Sequence, residues 1–145
     1  MISRLEADQF TKGILSCDDQ ILCVLISDRN GSAIAIDWRK GKVPWDNSGV
    51  ASMKISKDIQ TRLGSWSEII LSLAGQTSPF VGDFESASFV HKNFQLVLLN
   101  PPHRDVNIGL MLPRSAKTEY VISKVNVLFG VPPSLAEEAP LNRHQ

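Results

Sequence analysis

The fold is decided by a hairpin sequence that reads ILCVLIS at residues 21–27, DRNG at residues 28–31 and SAIAIDWR at residues 32–39. Asn30 and Gly31 adopt positive φ angles at low cost, and such a turn between two β-prone runs strongly indicates a β-hairpin. The first run is apolar at six consecutive positions, whereas a strand with one wet face alternates apolar and polar residues. The sequence therefore predicts that the first strand is central in a sheet and covered on both faces.

The second strand of the hairpin alternates. It is expected to place Ile34, Ile36 and Trp38 on one face and Ala33, Ala35 and Asp37 on the other. The small face either leaves room for a ligand beneath a covering helix or lets that helix pack closely.

Three further segments read as strands or strand candidates. FQLVLL at residues 94–99 is the second strongly apolar run, and we expect it to lie beside the first strand at the sheet centre. Residues 80–91 alternate weakly, which predicts two short strands or one bulged strand near a sheet edge. NIGLML at residues 107–112 is either a short strand or the approach to the last helix, since Pro113 ends it.

The first and last helices have clear end signals. Ser3 and Glu6 form the pattern of a capping box, so a first helix is predicted to run from there to about Ser16. Ser115 is expected to cap the last helix, which Gly130 ends.

The middle of the chain is ambiguous. Residues 50–64 carry apolar residues at the spacing of one helical face, and a second capping box at residues 65–68 predicts a bent helix or two consecutive helices. A strand at residues 68–73 is the competing interpretation, because a short apolar run cannot be typed by periodicity alone. Residues 75–79 read as a turn.

Length and charge narrow the class of protein. The 145 residues are expected to form one domain at residues 1–130, followed by a disordered tail at residues 131–145. Lys plus Arg equals Asp plus Glu at 15 each, so nucleic acid and anionic membrane surfaces are not expected partners. The longest apolar run falls well short of the roughly 18 residues that span a bilayer, and the first residues lack a signal-type apolar core. The expected location is the cytoplasm.

The sequence contains no recognisable chemical motif. His91, His103 and His144 are not at ligand spacing from carboxylates or cysteines, and Cys17 and Cys23 fit neither a metal knuckle nor a redox pair. We expect both cysteines to pack as small apolar residues. No serine elbow and no glycine-rich phosphate loop opens a helix. The sequence therefore predicts no catalytic residue, metal or cofactor, and a protein that is not an enzyme.

Contacts with a partner are the remaining function class. Trp45 is either the anchor of a polar loop or a contact residue, and Trp66 is expected in the core rather than as a cofactor platform. His103 and Arg104 lie in a polar loop at a predicted sheet end, where a partner contact is a candidate. The candidate interaction residues are Trp45, Ile59, Trp66, Phe80, Phe84, His103 and Arg104.

Two short motifs carry a family resemblance: VLISDRNGSAIA at residues 24–35 and NIGL at residues 107–110. Together with the order of elements, they resemble roadblock/LC7 domains and their longin and profilin-like relatives, in which an Asn-Leu-Gly precedes the final helix. The chain is also similar to small uncharacterised archaeal proteins of this layout, through Cys17 and Leu63-Gly64. The resemblance implies an α+β fold, with about five antiparallel strands sandwiched between one long helix and two terminal helices, the first and last strands being central.

The resemblance also implies a function. Roadblock proteins commonly dimerise through the middle helix and the exposed third strand, and many bind or regulate small GTPases or motor complexes without catalysing a reaction. The expected function is thus a non-catalytic interaction module, a homodimer associating through residues 50–74 and the edge at residues 80–86, which scaffolds or regulates a small GTPase. The alternative is a small-molecule sensor of PAS or GAF type, with a pocket between sheet and helix.

Overall fold

The computed structural model describes residues 2–47, 52–101 and 105–130. The predicted tail at residues 131–145 lies outside the described residues. Within the described ranges, helices and strands follow one another in an α+β order, which confirms the predicted class. They are α1 (Arg4–Cys17), β1 (Cys23–Ser27), β2 (Ala33–Trp38), a 3-10 helix (Pro44–Asn47), α2 (Ser52–Val81), β3 (Ser86–Val90), β4 (Phe94–Leu99), β5 (Asn107–Pro113) and α3 (Thr118–Leu128).

The five strands form one antiparallel sheet in the order β2-β1-β5-β4-β3. β1 is buried along its whole length, as its unbroken apolar run predicts. The prediction that residues 94–99 lie beside β1 is wrong, because β5 separates the two strands. Gly109 of β5 lets the sheet pack tightly here, since a Cβ at Gly109 would stand 3.4 Å from that of Leu25. Residues 107–112 are therefore a central strand rather than the approach to the last helix.

Helices cover both faces of the sheet. α1 and α3 lie over one face, and α2 packs over the other, mainly on β1 and β2. Burial of two faces by separate layers is the arrangement that the apolar strands require. The core beneath α1 and α3 includes Ala7, Ile14, Val24, Ile26, Val97, Leu99, Ile108, Leu110, Leu112, Val121 and Val125.

α1 is closed at both ends by polar contacts. The Glu6 N–H donates to the Ser3 hydroxyl oxygen at 3.1 Å, which confirms the predicted cap. After the helix, the Arg39 guanidinium donates to the carbonyls of Asp18 at 3.0 Å and Ile21 at 2.9 Å. These bonds tie the end of α1 to the start of β1.

A β-bulge in β2 changes the faces that its side chains occupy. The pairing with β1 slips by one residue, with Ile34 as the extra residue. As a result Ala33 faces α2, whereas Ala35 is buried in the core beneath α1 together with the partly buried Ile34. The predicted shared face of Ala33 and Ala35 is wrong because one inserted residue reverses the alternation.

α2 is a single helix of 30 residues. The alternatives of a strand at residues 68–73, a turn at residues 75–79 and a second helix starting near residue 65 are therefore wrong. Gly64 does not end the helix but lies where α2 packs on β2, and a Cβ there would make an ordinary contact with that of Ala33 at 3.5 Å. Pro79 lies in the last turn of the helix, so the helical bond that its missing N–H removes is one of the last in α2.

β3 begins at Ser86, later than predicted, and forms one short strand at the sheet edge. Phe80 and Val81 belong to α2 instead of the strand. Gly82, with φ of 93°, reverses the chain between them. The edge predicted at residues 80–86 is therefore a helix end and a loop, and the true edge is Ser86–Val90.

α3 begins at Thr118, and the residue before it makes no side-chain capping bond. The prediction that Ser115 caps this helix is wrong. The Thr118 hydroxyl instead donates to Gln95 Oε1 of β4 at 2.6 Å, so a contact with the sheet holds the first turn.

Candidate functional site

The second half of α2 carries an exposed apolar stripe. Ile69, Leu73, Phe80 and Val81 are exposed by 61%, 55%, 88% and 80%. A surface helix normally turns its apolar stripe toward the core, and a clustered apolar patch in water marks an interaction site. This part of α2 is therefore the leading candidate site in the described residues.

The backbone edge of β3 adjoins this helix through Phe89, and none of the described strands pairs with its outer side. The His91 N–H donates to the Phe94 carbonyl at 2.8 Å, and this bond sets which residues of β3 face β4. Because an antiparallel ladder alternates, the N–H and C=O groups of Ser86, Ser88 and Val90 point away from the sheet. Such an edge is a template for another strand.

Neither segment carries a charge. The sequence has no charged residue between Glu68 and Asp83, and β3 reads SASFV. Natural edge strands are usually protected by lysine, proline or a bulge, and the buried centres of interfaces are depleted of charged residues. We define the α2–β3 surface as the side chains of Ile69, Leu73, Phe80 and Val81 with the outer edge of Ser86–Val90.

Two of the predicted candidate residues, Trp66 and Phe84, adjoin this surface, Phe80 belongs to it, and Ile59 lies earlier along α2. Trp66 packs edge-to-face on Phe89 of β3 with ring centroids 5.5 Å apart, which joins the helix to the strand. Ile59 is half-buried in the first half of α2, and Phe84 is half-buried in the loop before β3. Phe80 is part of the surface itself.

Trp45 lies at the opposite edge of the sheet. It packs edge-to-face on Trp38 of β2, with ring centroids 5.9 Å apart, in a cluster with the buried Val43. His103 and Arg104, the other two candidates, lie outside the described residues.

The sequence-based candidates did not include Ile69, Leu73, Val81 or Ser88. Ile69 and Leu73 lie within residues 50–74, which the resemblance assigns to the dimer surface, but the sequence did not single them out. The sequence signal for this surface was the uncharged run from residue 69 to residue 82. A surface helix of a monomeric protein normally carries charged residues on its outer face.

The space between the middle of α2 and the strands beneath it is closed. A gap of about 10 Å³ remains there, lined by apolar residues that include Leu25, Leu63 and Trp66. A single water needs about 10–15 Å³, so the gap offers no room for a metabolite. Among the described residues, no pocket of metabolite size lies between the middle of α2 and the hairpin, where the sensor alternative placed one over Ala33 and Ala35.

The two cysteines are not activated. Burial raises the pKa of the Cys23 thiol to about 12, and the nearby charge of Asp37 adds to the effect. Burial, followed by the charge of Asp18, also raises the pKa of Cys17. A thiol with a raised pKa is a poor nucleophile at neutral pH.

The described residues hold neither a candidate metal site nor a candidate membrane-spanning helix. No three His, Cys, Asp or Glu side chains in the described ranges converge as a metal site requires. Among the helices of those same ranges, none has the length and apolar character needed to cross a membrane.

Comparison with known proteins finds likeness in structure alone. No family model matches the sequence, and no curated protein matches it. Among solved structures, MglB from Myxococcus xanthus aligns with a TM-score of 0.58 and 13% identity, over 92% of this chain and 98% of that one. A Roadblock/LC7 domain from Streptomyces avermitilis aligns at 0.56 and 8%, over 94% and 97%.

A structure of MglB with a tetrameric arrangement aligns at 0.53 and 11%, over 88% of this chain and 92% of that one. At such identities the likeness establishes the fold. The predicted roadblock/LC7 resemblance is confirmed at that level, and the likeness to small archaeal proteins stays a prediction.

Proposed function

We propose that this chain, built on the roadblock/LC7 fold, is a non-catalytic protein-interaction module that self-associates through the α2–β3 surface. The observation that carries the proposal is the uncharged apolar half of α2 lying beside an unprotected strand edge. Burying the helix gains hydrophobic free energy, and pairing the edge satisfies backbone groups. MglB, a protein of the same fold, has been solved with a tetrameric arrangement, which supports assembly as a use of this fold.

The edge is suited to a two-fold dimer. Two copies of β3 paired antiparallel about Ser88 would place Phe89 of one protomer opposite Ala87 of the other. Each partner then contributes the same patch, as a closed two-fold interface requires. Because α2 lies beside β3 through the Trp66–Phe89 contact, the apolar stripes of both helices would come together at the same axis.

The helix half of the surface is tested by Leu73→Glu. A carboxylate at a buried apolar contact should weaken the dimer at least about tenfold, measured by light scattering after size-exclusion chromatography across a concentration series. Leu5→Glu is the matched control, since Leu5 is an exposed leucine of α1 away from the surface. A strictly monomeric wild-type protein at high concentration would contradict the proposal, as would equal loss in both variants.

The strand half is tested by Ser88→Pro. Proline removes an N–H that points away from β4, so the monomer keeps its ladder, whereas the dimer carries proline in both copies and loses the two bonds at the centre of its intermolecular pairing. Ser88→Ala keeps the N–H and should dimerise like the wild type. Equal dimerisation of the proline and alanine variants would show that β3 does not form the contact.

We further propose that the assembled protein scaffolds or regulates a small GTPase. The support is the resemblance to roadblock proteins, many of which bind such enzymes. Titration calorimetry against purified small GTPases of the same organism should find one whose binding differs between its GDP-bound form and its GTP-analogue-bound form. Heats indistinguishable from dilution in both nucleotide states would contradict this part of the proposal.

A further inference from the structure

A second feature, an open cleft, borders the α2–β3 surface at Val81 and Ser86. It lies at the end of the sheet where β1 and β4 finish and β5 begins. The cleft, of about 1270 Å³, separates the last turns of α2 from this sheet end. Ala74 and Ser78 line it from the helix, and Asn100 and Asn107 line it from the strands. The cleft forms because α2 continues past the end of the sheet.

Asn107 supplies a polar group in the wall of this cleft that the described residues leave without a partner. Its side chain is nearly fully buried, with the residue exposed by 3%. Asn107 Nδ2 donates to the Asp28 carbonyl at 2.9 Å, which fixes the orientation of the amide. Asn107 Oδ1 has no hydrogen-bond partner among the described residues. A buried amide oxygen of this kind favours a ligand that brings a donor.

The charges around the cleft select a cationic donor. The carboxylates of Asp83 and Glu85 line it and are exposed. The C-terminal end of α2 adds the negative end of a helix dipole, and its last turn holds no basic residue to offset it. Arg29, the cation among the described lining residues, is paired with Asp105 at 3.1 Å.

We propose that this cleft binds a lysine or arginine side chain of a protein partner, held by Asp83, Glu85, the end of α2 and Asn107 Oδ1. The cleft is wide and open, whereas pockets for small molecules enclose most of their ligand in about 300–1,000 Å³. An extended peptide segment with one basic side chain fits this shape better than a free amine. The inference rests on the proposed function only in taking the partner to be a protein.

The probe is the capped peptide Ac-Ala-Ala-Arg-Ala-Ala-NH2, titrated into the full ¹⁵N-labelled chain and followed by NMR. Saturable shifts are expected at the Asn107 side-chain amide and at the backbone amides of residues 82–86. The same peptide with citrulline keeps the shape of arginine without its charge, and it should bind at least about fivefold more weakly. Binding of the citrulline peptide with equal affinity would overturn the proposal, and so would shifts scattered over the surface.

Two further arms separate the alternatives. Asp83→Asn combined with Glu85→Gln should weaken arginine-peptide binding about fivefold, whereas Asp58→Asn with Glu119→Gln, which removes two exposed carboxylates elsewhere, should leave it unchanged. An equal loss in both double variants would overturn the site. n-Butylguanidinium binding as tightly as the peptide would contradict a protein partner and indicate a small cation instead.

Two measurements separate the result for the cleft from the result for self-association. Light scattering of the Asp83→Asn, Glu85→Gln variant should match the wild type, because neither residue belongs to the α2–β3 surface. A monomeric wild type that still binds the arginine peptide would contradict the dimer and support the cleft. A dimeric wild type with no saturable shift would do the reverse.

Discussion

Position 31 imposes two separate requirements, and glycine is the residue that meets both of them. Its φ of 93° completes the hairpin turn, as Asn30-Gly31 predicts from sequence. The turn also lies directly against α2, because a Cβ at Gly31 would stand 2.6 Å from the Glu68 backbone nitrogen and 2.7 Å from its Cα. The first demand is local and readable from sequence, whereas the second depends on where α2 packs.

Replacing Gly31 separates these demands. Gly31→Ala should lower the free energy of unfolding by about 3 kcal/mol, from backbone strain and from the clash with α2. Gly41→Ala is the control, since Gly41 has φ of 74° and open space around it, and should cost about 1 kcal/mol. Urea unfolding measures both. Equal losses would mean that α2 does not contact the turn.

Asp18 holds the end of α1 against α3 by polar bonds. It accepts from the Gln20 N–H at 2.8 Å and from Lys124 Nζ at 3.1 Å, which joins the end of α1 to α3. Burial on its own raises the pKa of Asp18, but the bonds from Gln20 and Lys124 outweigh it and hold the pKa below 3.8. Because the folded pKa is lowered, this stabilisation is present above pH 3.8 and is lost as the pH falls through the folded value.

At the scale of elements, α2 departs most from the sequence-based interpretation. Sequence signals at Gly64, residues 65–68 and residues 75–79 each indicated a break, yet the helix is continuous. Gly64 lies against Ala33 of β2. Gly75 lies on the exposed side of the helix, where a Cβ would have no neighbour within 4 Å. The continuity of α2 places Leu73 and Phe80 on one exposed side.

Gly75→Ala tests this continuity. In a helix the substitution should raise the free energy of unfolding by about 1 kcal/mol, because alanine has the higher helix propensity. Gly82→Ala, at a position with φ of 93° and open surroundings, should lower it by about 1 kcal/mol. Both are measured by urea unfolding at a fixed low protein concentration. If Gly75→Ala lowered the free energy of unfolding, the result would support the turn predicted at residues 75–79 instead of a continuous helix.

At the scale of the whole molecule, the two faces and two edges of the sheet are treated differently. α1 and α3 close one face over the strands from β2 to β4, and α2 closes part of the other before it extends past the sheet. β2 is flanked by α1 and by the Trp38–Trp45 cluster, whereas β3 keeps an unpaired outer edge. The proposed surface and the cleft both arise from this asymmetry, since α2 is longer than the sheet it covers.

The sequence by itself determined the local elements: the hairpin and the capped α1, together with the apolar runs that became β1 and β4. These depend on bonds and side-chain patterns within a few residues, so they can be read in order along the chain. The sequence also indicated the fold through two short motifs. It wrongly predicted that β4 lies beside β1 and that α2 is interrupted.

Only the tertiary structure decided the strand order, the bulge at Ile34, the unbroken α2 and the exposure of Ile69 and Leu73. An apolar side chain has the same sequence signal whether it is buried or exposed. Its exposure depends on which distant segment covers it, and that is a property of packing. For the same reason the unpartnered oxygen of Asn107 could not be foreseen, because its surroundings come from parts of the chain far apart in sequence.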